Sequence, residues 1–295
     1  MTAQIISGVK ISEEIRAELA EKVKTIRAKG ITPGLAVILV GEDPASVSYV
    51  TGKAKAAEEI GVHEETFRMS ASTTEAELLN KIASLNKDPK FHGILVQLPL
   101  PKQIDEKKVI NAIDPAKDVD AFHPINVGKM LIGEPDFMPA TPSGIVELLM
   151  RSGNDPSGKH VVICGRSNIV GKPIMAMLVQ KVKGGNATVT VTHTGTKDLT
   201  SFTRQADILI AATGIPQMIK GDMVKPGVVV IDVGVNRVED ATKKSGFRLV
   251  GDVDFEAIKE KAKAITPVPG GVGPMTITML MVSTVRAAEK QLKAK

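Results

Sequence analysis

Apolar residues recur at helical spacing from Ser12 onward: Ile15, Leu19, Val23 and Ile26 share one face until Gly30 interrupts them. The pattern predicts an amphipathic helix capped by Ser12. An unbroken apolar run, Leu35–Val40, then reads as a buried strand stopped by Gly41. The alternation continues with a helix over Pro44–Ile60, a strand over His63–Met69, a helix over Thr74–Asn86, a strand over Gly93–Leu98 and a short helix over Asp105–Ile113. Strands alternating with helices predict parallel βαβ units, whose sheets bury both faces.

The tract 115–142 breaks this rhythm. It is rich in Pro, Gly, Asp and His, and sets polar side chains between apolar anchors. Such a tract predicts an ordered loop lining a ligand rather than a linker. Ser143 then reads as the cap of a helix reaching toward Gly153. A second α/β array follows, with strands near Val161–Cys164, Ala187–His193, Asp207–Ala212, Val228–Asp232 and Arg248–Val250. Met275–Leu292 closes the chain as an amphipathic helix. The fold class is therefore α/β in two domains, 1–142 and 143–275, with helix 276–295 completing the first.

The segment His160–Pro173 reads as a buried strand, a glycine turn and a helix start. That arrangement aims backbone N–H groups and a positive helix end at one point, where a phosphate can sit. Gly165 permits the tight turn, Ser167 is small and adds a hydroxyl, and Gly171 lets the helix pack on the strand. The spacing G-x-S-x-x-x-G departs from the usual dinucleotide fingerprint, so the flanking strand and helix carry the reading. An ordinary strand–helix turn is the alternative.

Composition narrows the partners. The 295 residues are 43% hydrophobic and 24% charged, ordinary for a soluble globular protein. No apolar run has the roughly 18 residues of a membrane helix. The net charge of +5 is dispersed, and 3% aromatic content with no Trp leaves few platforms for stacking bases. Nucleic acid is disfavoured, and a small anionic ligand fits better. A single cysteine, Cys164, precludes an internal disulfide and suits a reducing cytoplasm. The N-terminus, which shows no basic-then-apolar signal, points the same way.

Two features bear on chemistry. The second strand of the C-terminal array ends His193-Thr194-Gly195-Thr196-Lys197, without the acid that usually grips an NAD ribose. Its absence permits NADP, with Arg166 and Thr194 as partners for the extra phosphate. In the N-terminal half, Tyr49 and Lys53 lie four residues apart and so share a helix face. The pair could set an aromatic ring and an amine against a flat heterocycle, or be a half-buried tyrosine beside a solvated lysine. Asp118 and Asp120 lack a third ligand at suitable spacing, and the five histidines are scattered, so no metal is expected.

Five segments occur in register: Tyr49-Val-Thr-Gly-Lys53, Val96-Gln-Leu-Pro-Leu-Pro101, Lys117-Asp-Val-Asp-Ala-Phe-His-Pro124, Gly165-Arg-Ser-Asn-Ile-Val-Gly171 and Pro267-Val-Pro-Gly-Gly-Val-Gly-Pro-Met-Thr276. Together they resemble the bifunctional methylenetetrahydrofolate dehydrogenase/methenyltetrahydrofolate cyclohydrolase family, over essentially the whole chain. The resemblance implies an N-terminal folate-binding catalytic domain facing a C-terminal Rossmann-like NADP-binding domain across a cleft. By position, it implies that Tyr49 stacks on the pterin side, Lys53 transfers protons, Gln97 tunes Lys53 and Asp120 grips the pterin edge. Val96, Leu98, Pro269, Gly270, Gly271 and Gly273 would complete the substrate contacts, and Gly165, Arg166, Ser167, Thr194 and Val235 would hold NADP. It further implies a cytoplasmic homodimer acting on tetrahydrofolate derivatives in one-carbon metabolism and purine biosynthesis. Three positions depart from the family pattern: Ala121 replaces a usual Gly, Ala140 a common Cys, and Gly195 a frequent basic residue.

The implied reactions are oxidation of 5,10-methylenetetrahydrofolate and hydrolysis of the methenyl product to 10-formyltetrahydrofolate. Hydride transfer needs mainly positioning, whereas hydrolysis needs a proton-transfer group. Polyglutamate tails could meet Lys10, Lys53 and Lys55, or the basic surplus could serve solubility alone. The rival readings are another two-domain NADP oxidoreductase acting on a small hydroxy or amino acid, a non-catalytic dinucleotide sensor, and a monofunctional family member.

Overall fold

The computed structural model describes residues 3–243 and 246–293. The chain divides into two compact units, Glu13–Ala140 with Ile277–Lys295, and Met1–Ser12 with Thr141–Thr276. The chain opens with a two-residue strand, β1 (Gln4–Ile5), followed by α1 (Gly8–Arg27). Ser12 is therefore not a cap; it sits inside α1 and its hydroxyl donates to the Val9 carbonyl. The helix starts earlier because the Gly8 and Val9 amides find the Gly270 carbonyl, at 2.9 and 3.2 Å. Ser7 supplies the local cap, its Oγ accepting from the Lys10 amide at 3.3 Å, and the long-range acceptor satisfies the two amides before it.

The first unit holds a parallel sheet of β2 (Gly34–Val40), β3 (His63–Met69) and β4 (Gly93–Val96), in the order β3-β2-β4. Alternate residues of β2 feed different cores: Leu35, Val37 and Leu39 pack in one cluster, Ala36, Ile38 and Val40 in another. Both faces of the strand are thus buried, as its unbroken apolar run requires. Each fully buried aliphatic side chain contributes about 1.5–3 kcal/mol relative to exposure.

Between β2 and β3 runs α2 (Pro44–Ile60). Asp43 caps it by accepting from the Ser46 amide, and Gly61 ends it in the left-handed region at φ 79°. Next come α3 (Glu75–Lys87), held by a Thr74–Glu77 capping box, and α4 (Glu106–Ala112), capped by Asp105. The expected ligand-lining loop instead contains α5 (Pro124–Leu131) and the start of α6 (Ala140–Arg151). Pro124 at the first turn and the His123 cap build α5 where glycine and proline content had hidden a period. Ser143 falls inside α6 and does not cap it.

The second unit contains β5 (His160–Cys164), α7 (Gly171–Leu178), β6 (Thr188–Thr192), α8 (Leu199–Thr203), β7 (Ile208–Ala211) and β8 (Val229–Asp232). A hairpin follows, β9 (Asn236–Glu239) with β10 (Phe247–Val250), then α9 (Phe255–Lys259) and β11 (Ala264–Ile265); α10 (Val272–Lys293) starts here and from Ile277 onward belongs to the first unit. The sheet is parallel, in the order β1-β11-β8-β7-β5-β6. The strand expected near Arg248–Val250 is not part of it: β10 pairs antiparallel with β9. Two short strands that the pattern did not show, β1 and β11, extend the sheet instead. The chain steps from β5 outward to β6 and then back across to β7, so strand order reverses at β5. Ligands of open α/β sheets bind at the carboxyl ends beside such a reversal. No described helix is long and apolar enough to cross a membrane.

Candidate active site

The buried face of α2 carries Ser46, Val50, Lys53, Ala56, Ala57 and Ile60. Lys53 therefore sits in the helix's apolar stripe, where an amine must find a partner. It finds Gln97, just beyond the end of β4: Lys53 Nζ donates to Gln97 Oε1 at 2.8 Å. Gln97 is itself oriented, because its Nε2 donates to the Leu98 carbonyl at 2.7 Å and its backbone amide to Ile38. Burial pulls the Lys53 amine below the usual lysine range, and the charge of Asp120 partly offsets this.

Asp120 reaches the same place along a different strip of chain. The Ile94 amide donates to the Lys117 carbonyl, and Asp118 bridges Ile94 in parallel, so this segment runs beside β4. Asp118 and Asp120 then divide their labour. Asp118 is buried and accepts from the His123 amide at 2.8 Å and the Asn126 side chain at 2.9 Å, which fixes the entry to α5. Asp120 lines a cavity with Val96, Leu98, Val109 and Phe122. Burial lifts its carboxyl to about 6, Lys53 pulls it down, and Asp118 adds to the rise. Tyr49, one turn before Lys53, is 41% exposed, leaving its ring available to a ligand.

In the other unit, a cavity of about 690 Å³, counted to its open mouth, lies at the carboxyl ends of β5, β6 and β7. Gly165, Arg166, Ser167, His193, Thr194 and Thr213 are among its lining residues. A Cβ on Gly165 would lie 2.2 Å from the Ala212 carbonyl oxygen, and Gly165 has φ 134°. A Cβ on Gly171 would lie 2.2 Å from the Gly165 carbonyl oxygen. Both positions demand glycine, and the turn keeps the close backbone approach that a pyrophosphate needs. Ser167 Oγ accepts from the Val170 and Gly171 amides at 3.1 and 3.3 Å, so it stabilises the start of α7 with its hydroxyl proton still to donate. The donor set and the cradle fit a dinucleotide.

Val235 lies outside this lining, on the loop after β8, and is 49% exposed. Pro269, Gly270 and Gly271 form a separate turn packed on Gly8, whose Cβ would lie 1.7 Å from the Gly271 carbonyl oxygen. A Cβ on Gly273 would meet nothing within 4 Å, so that backbone presents an open face. The structure thus gathers Lys53, Gln97, Asp120, Val96 and Leu98 in one unit, and Gly165, Arg166, Ser167 and Thr194 in the other. One expectation fails on physical grounds. Lys53 cannot meet a polyglutamate tail, because it is 7% exposed and donates to Gln97. His193 and Met218 were missed as cavity-lining residues. Their signal was position alone, His193 directly after β6 and Met218 within the loop that follows β7.

A family model described as tetrahydrofolate dehydrogenase/cyclohydrolase, catalytic domain, matches residues 6–120, and the corresponding NAD(P)-binding domain matches 139–292. The chain is 60% identical over 288 residues to a bifunctional protein FolD of Syntrophus aciditrophicus, covering 98% of each. The crystal structure of the bifunctional enzyme FolD, methylenetetrahydrofolate dehydrogenase/cyclohydrolase, from Campylobacter jejuni matches with TM-score 0.92 and 48% identity, over 98% of this chain and 99% of that one. The Trypanosoma brucei N5,N10-methylenetetrahydrofolate dehydrogenase-cyclohydrolase, complexed with NADP cofactor and inhibitor, matches with TM-score 0.93 and 39% identity over 99% of both chains.

Proposed function

This chain belongs to the tetrahydrofolate dehydrogenase/cyclohydrolase family, and from that premise we propose how its own residues divide the two reactions. It is an NADP-dependent methylenetetrahydrofolate dehydrogenase and methenyltetrahydrofolate cyclohydrolase. The pterin edge, rich in N–H donors, is assigned to the Asp120 carboxylate, and the Tyr49 ring is assigned to stack on the adjoining rings. Val96 and Leu98 supply apolar contact. Gly165, Arg166, Ser167 and Thr194 hold the dinucleotide, Arg166 and Thr194 take its extra phosphate, and Val235 is a further contact. When bound, the nicotinamide accepts the hydride leaving the one-carbon bridge. That step asks the protein chiefly for position, since two flanking nitrogens stabilise the cation left behind.

Hydrolysis asks for more. Water adds to the methenyl carbon and loses a proton to give a neutral carbinolamine. Its hydroxyl proton is then lost as the bond from that carbon to N5 breaks, and N5 takes up a proton, leaving the 10-formyl product with one proton released overall. Lys53 is the group assigned to take the proton that water loses. A desolvated amine with a lowered pKa is a competent base near neutral pH, and Gln97 holds it by one N–H so that its lone pair can point elsewhere. The observation carrying this reading is the 2.8 Å Lys53–Gln97 hydrogen bond on the buried stripe of α2, beside Asp120. Replacing Lys53 with Met keeps the volume and removes the amine. Cyclohydrolase turnover should fall by about 10²–10⁴-fold while folate still binds. A Met variant with the full hydrolytic rate removes Lys53 from the mechanism.

The finer assignments follow the same premise. The working form is assigned as a cytoplasmic homodimer serving tetrahydrofolate interconversion for purine biosynthesis. Lys10 and Lys55, both exposed, are the residues left to attract polyglutamate tails. Sedimentation of the purified enzyme tests the dimer. Comparison of KM for mono- and pentaglutamyl substrate, in a Lys55→Ala variant, tests the tail.

A further inference from the structure

Two carboxylates that neither reaction uses lie at the carboxyl ends of the cofactor unit's strands. Asp232 closes β8 and is 2% exposed; Asp252, in the turn after β10, is fully buried at 0%. Asp252 Oδ2 accepts from the Thr213 and Gly214 amides at 2.6 and 2.9 Å, and its Oδ1 from the Asn236 side chain at 2.8 Å. Asp232 Oδ1 accepts from the Gly234 and Asp252 amides at 3.0 and 2.8 Å, and its Oδ2 from the Val253 amide at 3.2 Å. Three loops therefore converge on one pair of side chains. The fit is close: a Cβ on Gly234 would lie 2.0 Å from Asp252 Oδ1.

The loop after β7 indicates what this pair is for. Thr213, Ile215 and Met218 line the cofactor cavity. The Thr213 and Gly214 amides are tied to the Asp252 carboxylate. Farther along, the Gln217 and Ile219 amides are tied to the Gly251 and Asp252 carbonyls, at 2.9 and 3.0 Å. One wall of the cavity thus hangs from residues 251–252. A buried carboxylate held by N–H donors is tolerated only while those donors stay aligned, so it fixes the peptide planes that carry them.

We propose that Asp252 is a positioning residue for the dinucleotide, holding the Thr213–Ile219 wall in its binding geometry. Asp232 acts through it by orienting the Asp252 backbone. The inference rests on the reading of this cavity as the cofactor site. Asp252→Asn preserves shape but turns one acceptor into a donor facing the Thr213 and Gly214 amides or Asn236. The KM for NADP should rise by about tenfold or more. Hydrolysis of methenyltetrahydrofolate by the same preparation should stay within about twofold. Asn236→Ala removes one donor and leaves the carboxylate, and its KM should rise by a smaller factor.

An Asp252→Asn enzyme with unchanged KM for NADP overturns the proposal, as does one in which both activities fall together at constant KM. If Asp252→Asn does not fold, an unchanged KM in Asn236→Ala overturns it as well. Arg166→Ala separates the two levels. If Arg166→Ala weakens NADP binding while Asp252→Asn does not, the cavity stands as the cofactor site and only the positioning role falls. If Arg166→Ala leaves NADP binding unchanged, the cavity reading itself falls.

Discussion

Asp120 in the folate unit and Asp232 in the cofactor unit are both lifted by burial to about 6, yet their surroundings are opposite. Asp232 receives three backbone N–H groups, so its capacity as an acceptor is spent on its own loops. Asp120 has no hydrogen bond among the described residues and sees Lys53 only as a charge. Its oxygens remain unspent in a cavity. Burial and a raised pKa therefore do not by themselves mark a binding group. Unused hydrogen-bonding capacity beside them does, because a carboxylate with free oxygens in a cavity can take a ligand's N–H donors without giving up a bond of its own.

The contrast breaks most visibly by crowding the spent aspartate. A Cβ on Gly251 would lie 1.7 Å from Asp232 Oδ2, and that carboxylate cannot swing away without giving up the three amide bonds that hold it. Gly251→Ala should cost about 3 kcal/mol or more of stability in a denaturant melt. A variant as stable as the parent would mean that these loops accommodate freely, and Asp232 would no longer count as scaffold. Asp120→Asn tests the other side. It removes a charge-assisted acceptor from the ligand, so folate affinity should drop by on the order of 2 kcal/mol, about 30-fold. Thermal stability should hold or rise, since a buried charge disappears. Unaltered folate affinity would return Asp120 to the scaffold class.

The titration of both groups gives a smaller signal with a definite sign. A carboxyl raised from 3.8 to about 6 in the folded state binds its proton more tightly there than in the unfolded chain. Stability therefore falls as pH rises from about 4 to 6, and is level above that. Urea melts between pH 4.5 and 7 should show this decline, and Asp120→Asn should make it shallower. Asp136 runs the other way. Held to about 2 by Lys129 and Lys290, it contributes stability above the ordinary carboxyl range that is lost only as pH falls toward 2. A wild-type profile rising across pH 4.5–7 would contradict the burial argument for both aspartates.

Local signals read well where a residue's own neighbours decide its state. The bounds of α2 follow from Asp43-Pro44 at one end and Gly61 at the other, and β2 from its apolar run. They failed where a distant group substitutes. Ser12 lost its capping role to Ser7, which takes the Lys10 amide, once a carbonyl more than 250 residues away had taken the Gly8 and Val9 amides and started the helix earlier. Helix α5 was hidden because Gly128 and the flanking prolines dilute its period, while its start depends on Asp118. The site shows the same division. Lys53 sits at a core-facing position of α2, which the sequence left open against a solvated lysine, and its partner is 44 residues on and came only through family resemblance. Asp252 left no trace in the sequence, because its role exists only once three loops meet.

Ala121 sharpens the comparison with the smallest expected effect. It holds φ 58°, a left-handed conformation that costs a residue with a Cβ roughly 1–2 kcal/mol, and it is 1% exposed. The strain is sustained by its amide donating to the Asp118 carbonyl at 3.1 Å, within the turn that Asp118 closes onto His123. Ala121→Gly relieves that strain, but it also loses a buried methyl worth about 0.8 kcal/mol and adds freedom to the unfolded chain. These effects nearly cancel, so stability should move by less than about 1 kcal/mol. Folate affinity should change by less than about threefold, because the carboxylate and its cavity are untouched. Should Ala121→Gly instead weaken folate as much as Asp120→Asn does, the strained turn would be what aims the carboxylate. Asp120 would then depend on local scaffold as heavily as Asp232 does, and the distinction between a spent and an unspent acceptor would have to include the backbone that holds each one.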